Sequence, residues 1–207
     1  MKLLLTSGGI SNQTIIDALK DLAQKPFDQL NVAFIPTAAN LEAGDKWWLI
    51  KDLQNCKNLG FAEIDIVDIS ALPKEVWLPR LNIADIIMVG GGNTYHLMYW
   101  FYKSGLSEIL PDLLKTKVYV GISAGSLVVT PSIVNANSEK QPVIDINETI
   151  YDDGLGLVDF MVEPHINNSY FPELNFDYPV YAIDDNSAIK IDNKNITIVS
   201  EGQWKLF

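Results

Sequence analysis

Apolar and polar positions follow two different rhythms through the first two-thirds of the chain. Short runs rich in Val, Ile and Leu, at 2–6, 31–36, 63–69, 85–91 and 118–122, predict buried strands. Between them, 13–23, 42–59, 94–103 and 106–114 repeat their apolar residues every three or four positions, the period of a helix with one buried face. Alternating strands and helices predict a parallel sheet covered on both faces, because parallel neighbours need a long crossover between them. After Pro131 the rhythm changes. "PVIDI" (142–146), "GLVDFMVEPH" (156–165), "YAIDD" (181–185), "AIKID" (188–192) and "ITIVSEGQWKLF" (196–207) read as strands separated by turns, with "DNKN" a hairpin connection. No linker, repeat or low-complexity tract interrupts the chain. The expected architecture is α/β: a doubly wound, mostly parallel sheet with a strand-rich C-terminal part, in one domain over residues 1–207.

Composition narrows the chemistry. A chain of 207 residues, 48% hydrophobic, can bury a core without disulfides or metal staples. The net charge of −11, with no basic run, argues against a nucleic-acid partner, since phosphate binding needs clustered Lys and Arg. Cys56 is the sole cysteine and cannot form an internal disulfide, and two histidines leave few ligands for zinc, so no metal site is expected. The apolar start Met1 to Leu5 stops at Thr6, short of a secretory core, and no later run is long enough to span a bilayer. A cytoplasmic protein without a membrane partner is the expectation. Trp47 and Trp48, within a helical stretch, read first as packing residues and second as pocket walls.

The most informative stretch is "VYVGISAGS" at 118–126, where a strand runs into a serine between glycines. Gly121-Ile122-Ser123-Ala124-Gly125 fits G-x-S-x-G, in which serine sits on a tight strand-to-helix turn with its hydroxyl exposed at the carboxyl edge of the sheet. The N–H of Ala124 then points where an oxyanion would form. The competing reading is a plain turn in which Ser123 or Ser126 caps the following helix. A second glycine-rich turn, Gly90-Gly91-Gly92-Asn93-Thr94, follows the strand at 85–89 and lies at the same edge, where open α/β sheets bind ligands. It lacks the spacing of a dinucleotide or Walker loop, so its expected use is to present the N–H groups of Gly91 or Gly92 to an oxyanion.

A serine hydroxyl needs a base to take its proton. His165, after an apolar strand and Pro164, is free to face a cleft, whereas His96 lies early in a helix, where packed or solvated histidines are commoner. Candidates for the carboxylate that orients the imidazole are Glu163, Asp184 and Asp185.

"VGGGNTYHL" (89–97), "GISAGS" (121–126) and "VEPHINNS" (162–169), in that order, resemble the S51 serine peptidases, the family of aspartyl dipeptidase and, more distantly, of cyanophycinase. The resemblance runs over most of the chain. It implies a fold akin to class I glutamine amidotransferases and a Ser-His-Glu triad in that chain order. Carried onto this sequence, Ser123 is the nucleophile and His165 the general base; the family's glutamate falls on Asp184-Asp185-Asn186, with Asp185 the best match. No cofactor is implied, and the substrate is a small peptide. Two departures stand out. The acid is an aspartate, one methylene shorter, which requires a closer approach to His165. The arginine that holds the acidic side chain of the substrate in aspartyl dipeptidases has no counterpart in "INNSYFPELNFDYPVYAIDD", and where some relatives carry an aspartate beyond the serine this chain reads Asn137-Ser138-Glu139. The acidic character of this region suits neutral or cationic groups. The alternative to an enzyme is a binding protein that uses the same scaffold and its glycine turns to hold a small anion.

Overall fold

In the computed structural model, which describes residues 1–166 and 177–207, ten strands form two sheets. The strands are β1 (Lys2–Thr6), β2 (Asn31–Ile35), β3 (Glu63–Ile66), β4 (Ile86–Val89), β5 (Val118–Ile122), β6 (Met161–Glu163), β7 (Val180–Ile183), β8 (Ser187–Asp192), β9 (Asn195–Ser200) and β10 (Trp204–Leu206). The helices are α1 (Gln13–Ala23), α2 (Trp47–Leu59), α3 (Lys74–Ile83), α4 (Thr94–Ser104), α5 (Leu106–Leu113), α6 (Ala124–Leu127) and α7 (Lys140–Asp145).

The main sheet has the order β3-β2-β4-β5-β1-β8-β9. Its first five strands are parallel and the last two antiparallel, so the expected mixed α/β fold with a mostly parallel central sheet is what the chain forms. Successive residues of each strand serve opposite faces. Leu3, Leu5, Ile87, Val89 and Tyr119 pack on one side with Trp77, Phe101 and Leu110 of α3, α4 and α5. Leu4, Val32, Phe34, Met88 and Val120 pack on the other with Ile15, Leu19 and Leu22 of α1 and Cys56 of α2. Burial on both faces is why these strands read as continuous apolar runs. The smaller sheet, β10-β7-β6, stands apart from the large one and is built wholly from the C-terminal part.

Three expectations change. "PVIDI" is not a strand: Lys140–Asp145 forms α7, with Val143 buried, since so short an apolar run carries no period to separate helix from strand. The helix placed at 42–59 begins only at Trp47; Gly44 holds a φ of 80° and turns the chain before it. The sequence reading also omitted α3, whose Pro79 lies inside the helix while Trp77 and Leu81, one turn apart, fill the core. The hairpin expected at "DNKN" joins β8 to β9, with Asn193 in the left-handed region at φ 57°. Among the described residues no helix is long and apolar enough to cross a membrane.

Topology fixes where chemistry collects. Because β1, β4 and β5 are parallel and in register, with Thr6 opposite Ile122 and Val89 opposite Gly121, the residues after them share one rim of the sheet. β8 runs the other way beside β1, with Ala188 opposite Thr6, so the turn that enters β8 lies at that rim as well.

Candidate active site

Ser123 occupies the junction of β5 and α6 with φ 49° and ψ −110°, a conformation that ordinary side chains avoid and that costs on the order of 1–3 kcal/mol. The turn is held from several sides. The Ser123 N–H donates to Thr6 O at 3.0 Å, tying it to β1, and the N–H groups of Ser126 and Leu127 donate to Ser123 O at 2.7 and 3.1 Å. The Ser126 hydroxyl donates to Thr6 O at 2.8 Å, and the Tyr119 hydroxyl to Gly125 O at 2.6 Å. Gly125 presses so closely on β4 that a Cβ there would lie 2.2 Å from Val89 O, which is why the second glycine of the motif admits no side chain. The Ser123 side chain makes no capping bond to α6, so the plain-cap reading of this serine does not describe it.

The Ser123 hydroxyl lies 2.8 Å from His165 Nε2, and His165 Nδ1 lies 2.7 Å from Asp185 Oδ1. With the Nδ1 proton directed to the carboxylate, Nε2 is left to accept from the serine. His165 follows β6 and Pro164 and has φ 60°, so its ring leaves the small sheet toward the rim of the large one. Asp185 comes from the turn between β7 and β8.

Asp185 has a second partner that the sequence reading passed over. Ser7, fully buried just after β1, donates its hydroxyl to Asp185 Oδ1 at 2.6 Å and accepts the His165 backbone N–H at 2.8 Å. One side chain thus positions both the histidine main chain and the carboxylate. The hydrogen bond from His165 outweighs desolvation and, with the help of Ser7, holds the Asp185 carboxyl down at about 2. A signal for Ser7 was available: "LLLTSGG" is a strand followed by a small hydroxyl residue and glycines, like "VYVGISAG".

The other candidates are engaged elsewhere. Asp184 accepts from the Ser187 hydroxyl at 2.6 Å and from the Gln203 N–H at 2.7 Å, fastening the β7–β8 turn to the residues before β10. Glu163 accepts from Asn135 Nδ2 at 2.8 Å, and burial raises its pKa. His96, nearly buried on α4, pairs through Nδ1 with Glu148 Oε2 at 2.6 Å.

Ser123, His165 and Asp185 open into a cavity of about 460 Å³. Gly91 and Gly92 line it beside Ser123; a Cβ on Gly91 would lie 3.3 Å from that of Ser123. The N–H groups of Gly91, Gly92 and Ala124 have no acceptor among the described residues. The far wall is α2, which contributes Trp47, Trp48, Lys51 and Asp52. The expectation that the tryptophan pair serves packing does not hold for Trp47, which is 62% exposed at the mouth of the cavity, and Trp48 also faces it. Glu139, in the segment where some relatives carry an aspartate, lines the cavity as well and accepts the N–H of Thr94. Burial raises its pKa despite that bond. Residues 167–169 of the "VEPHINNS" motif, and half of the stretch noted for its lack of basic residues, lie outside the described residues.

Chains of similar sequence carry peptidase names. An uncharacterized peptidase of Listeria monocytogenes is 30% identical over 174 residues, covering 80% of this chain and 83% of that protein. A Peptidase E of Nostoc is 28% identical over 192 residues, covering 85% of this chain and 75% of the relative. In three dimensions, a crystal structure described as a candidate Peptidase E from Listeria monocytogenes superposes with a TM-score of 0.81 at 26% identity, over 97% of this chain and 98% of that one. Fold and likeness together define a hydrolase, a serine-type peptidase. The sequence profile described as Peptidase family S51 matches residues 3–199, and the chain belongs to that family.

Proposed function

We propose that this peptidase hydrolyses a small peptide or isopeptide bond with Ser123 as nucleophile, His165 as general base and Asp185 as the carboxylate that orients it. The observation that carries the reading is the unbroken relay of 2.8 Å and 2.7 Å contacts from hydroxyl to imidazole to carboxylate, facing a cavity. In the first step His165 Nε2 takes the Ser123 proton as Oγ attacks the carbonyl carbon. The developing oxyanion is held by the N–H of Ala124 and of Gly91 or Gly92, donors that no protein group among the described residues occupies. His165 then gives its proton to the leaving amine, and the acyl group remains on Ser123. Water, deprotonated by the same nitrogen, releases the acyl group and restores the serine. Asp185 stays ionised throughout, since its pKa lies far below neutrality, and it stabilises the imidazolium formed in each half-reaction.

The aspartate in place of the family's glutamate is consistent with this role because the β7–β8 turn brings its carboxylate to the 2.7 Å contact with the shorter side chain. The chain order Ser, His, acid and the parallel sheet agree with the class I glutamine amidotransferase-like arrangement that the S51 resemblance implies. Every step uses protein groups and water. The test is turnover of a dipeptide panel by wild type, Ser123→Ala and Asp185→Asn. The serine variant should lose on the order of 10⁶ in kcat and the aspartate variant on the order of 10⁴. Retention of wild-type turnover by Ser123→Ala contradicts the reading.

A further inference from the structure

We infer that Asp52 is the anchor for an ammonium group of the substrate, and that this peptidase selects peptides carrying a positive charge beside the bond it cuts. The inference rests on the catalytic reading above and deepens it. Asp52 projects from α2, is only 6% exposed, and faces the cavity that Ser123 opens into. Its carboxylate lies against Gly9, and Ile122, directly before the nucleophile, lines the same cavity: a Cβ built on Gly9 would be 2.6 Å from Asp52 Oδ1 and 3.5 Å from Ile122 Cδ1. Gly9, at φ 75°, has no side chain to collide with that oxygen.

What sets Asp52 apart from the other acids of the cavity is that it is both buried and without a partner among the described residues; Glu42, which also lacks a side-chain partner there, is only half-buried. Asp185 is bound by His165 and Ser7, and Glu139 by the Thr94 N–H. Asp52 makes no hydrogen bond or ion pair with any described residue. Its neighbour Lys51 is exposed and forms no ion pair with it. A carboxylate held largely out of water without a protein donor is costly, and a side chain chosen for packing alone would be apolar. Burial accordingly pushes the Asp52 carboxyl up to about 7, against the weaker opposing pull of Lys51 and His165 and with a further upward push from Asp185. The missing donor is a cation of the right size to enter with a peptide.

An alkylammonium supplies up to three N–H donors and a charge, which satisfies the buried oxygens and favours the ionised form. Trp48, one turn before Asp52 on the same helix, and Trp47 beside it line the cavity too and give such a group, or its aliphatic stem, an aromatic wall. Two parts of a peptide present this chemistry: the free α-ammonium of the residue on the acyl side, and the side chain of a lysine there.

Four dipeptides separate the sources: Leu-Leu, N-acetyl-Leu-Leu, Lys-Leu and N-acetyl-Lys-Leu, assayed with wild type and Asp52→Asn. Fluorophosphonate labelling of Ser123 is followed in parallel. Wild type should favour the peptides carrying the recognised ammonium over N-acetyl-Leu-Leu by about 10- to 100-fold in kcat/KM, expressed mainly in KM. Preference for Leu-Leu assigns the α-ammonium, and preference for N-acetyl-Lys-Leu the side chain. Asp52→Asn should lose that preference while labelling at the wild-type rate, a combination that a purely structural role does not give. A wild type that labels but cleaves all four equally, or none, overturns the inference and leaves the nucleophile assignment standing, as does an Asp52→Asn enzyme that keeps the preference. Failure of wild type itself to label removes the catalytic reading and this inference with it.

Discussion

Ser7 accepts from one partner and donates to the other in the proposed relay, and its removal is a test of positioning apart from chemistry. Ser7→Ala leaves the His165 N–H without its acceptor and takes a donor from Asp185. Loss of hydrogen bonds of this kind should lower kcat about 10-fold with little change in KM. A second readout follows from charge. Asp185 has a lowered pKa in the folded protein, so its contribution to stability is complete above the ordinary carboxylate range near 4 and is lost as pH falls toward about 2. With one donor gone, the acid unfolding of Ser7→Ala should begin at higher pH than that of wild type, measured by circular dichroism. The sequence made Ser123 and His165 visible because motif and scarcity pointed to them: one serine between glycines, and one of two histidines at a strand end. Ser7 and Asp52 escaped notice for the opposite reason. A serine or an aspartate in an acidic chain is unremarkable until its neighbours from distant segments are known, and Ser7 meets His165 from 158 residues away.

Among the elements, the β7–β8 turn is the joint on which the site depends, and its two adjacent aspartates divide the work. Asp184 faces inward to Ser187 and Gln203, whereas Asp185 faces the histidine. Asp184→Ala should therefore cost about 1–3 kcal/mol of stability, seen in chemical denaturation, because the buried Ser187 hydroxyl and the exposed Gln203 N–H lose a charged acceptor. The enzyme that remains folded should keep most of its turnover. The reverse pattern, full stability with abolished turnover, would move the orienting role from Asp185 to Asp184. The same comparison shows what sequence periodicity reaches. β1, β2, β4 and β5 were legible because both faces are buried and the runs are continuous. α7 was misread because its apolar stretch is too short to show a period, and α3 was obscured by Pro79. That β6, β7 and β10 form a separate sheet depends on pairings between distant segments, to which local pattern is blind.

For the molecule as a whole, the buried carboxylate on α2 couples the cavity to stability. Asp52 titrates at about 7 when folded and near the ordinary aspartate value when unfolded, so the native state binds the extra proton between those limits. The contribution of Asp52 to stability should then fall as pH rises from about 4 to 7, and level off above. Three groups act on this carboxylate besides its burial: Lys51, Asp185 and His165; the Cys56 thiol beside it is pushed up to about 12, chiefly by its own burial. Asp52→Asn cannot titrate, so its stability relative to wild type should grow by about 3–4 kcal/mol over that interval, read from urea midpoints at pH 4, 5.5 and 7.5. A constant difference across those pH values would show that the carboxylate is solvated or paired. Stability given up at a residue that faces the cavity is the pattern expected where a protein keeps a group for its ligand.

In the proposed mechanism three side chains remote in sequence make one hydroxyl reactive, and a fluorophosphonate reports that reactivity directly. After brief exposure of the whole enzyme to the reagent, proteolysis and mass spectrometry should find a single phosphonylated peptide, with the adduct on Ser123, and none in His165→Ala treated for the same time. An adduct on another residue, or equal modification of Ser123 in the absence of the imidazole, would contradict the account.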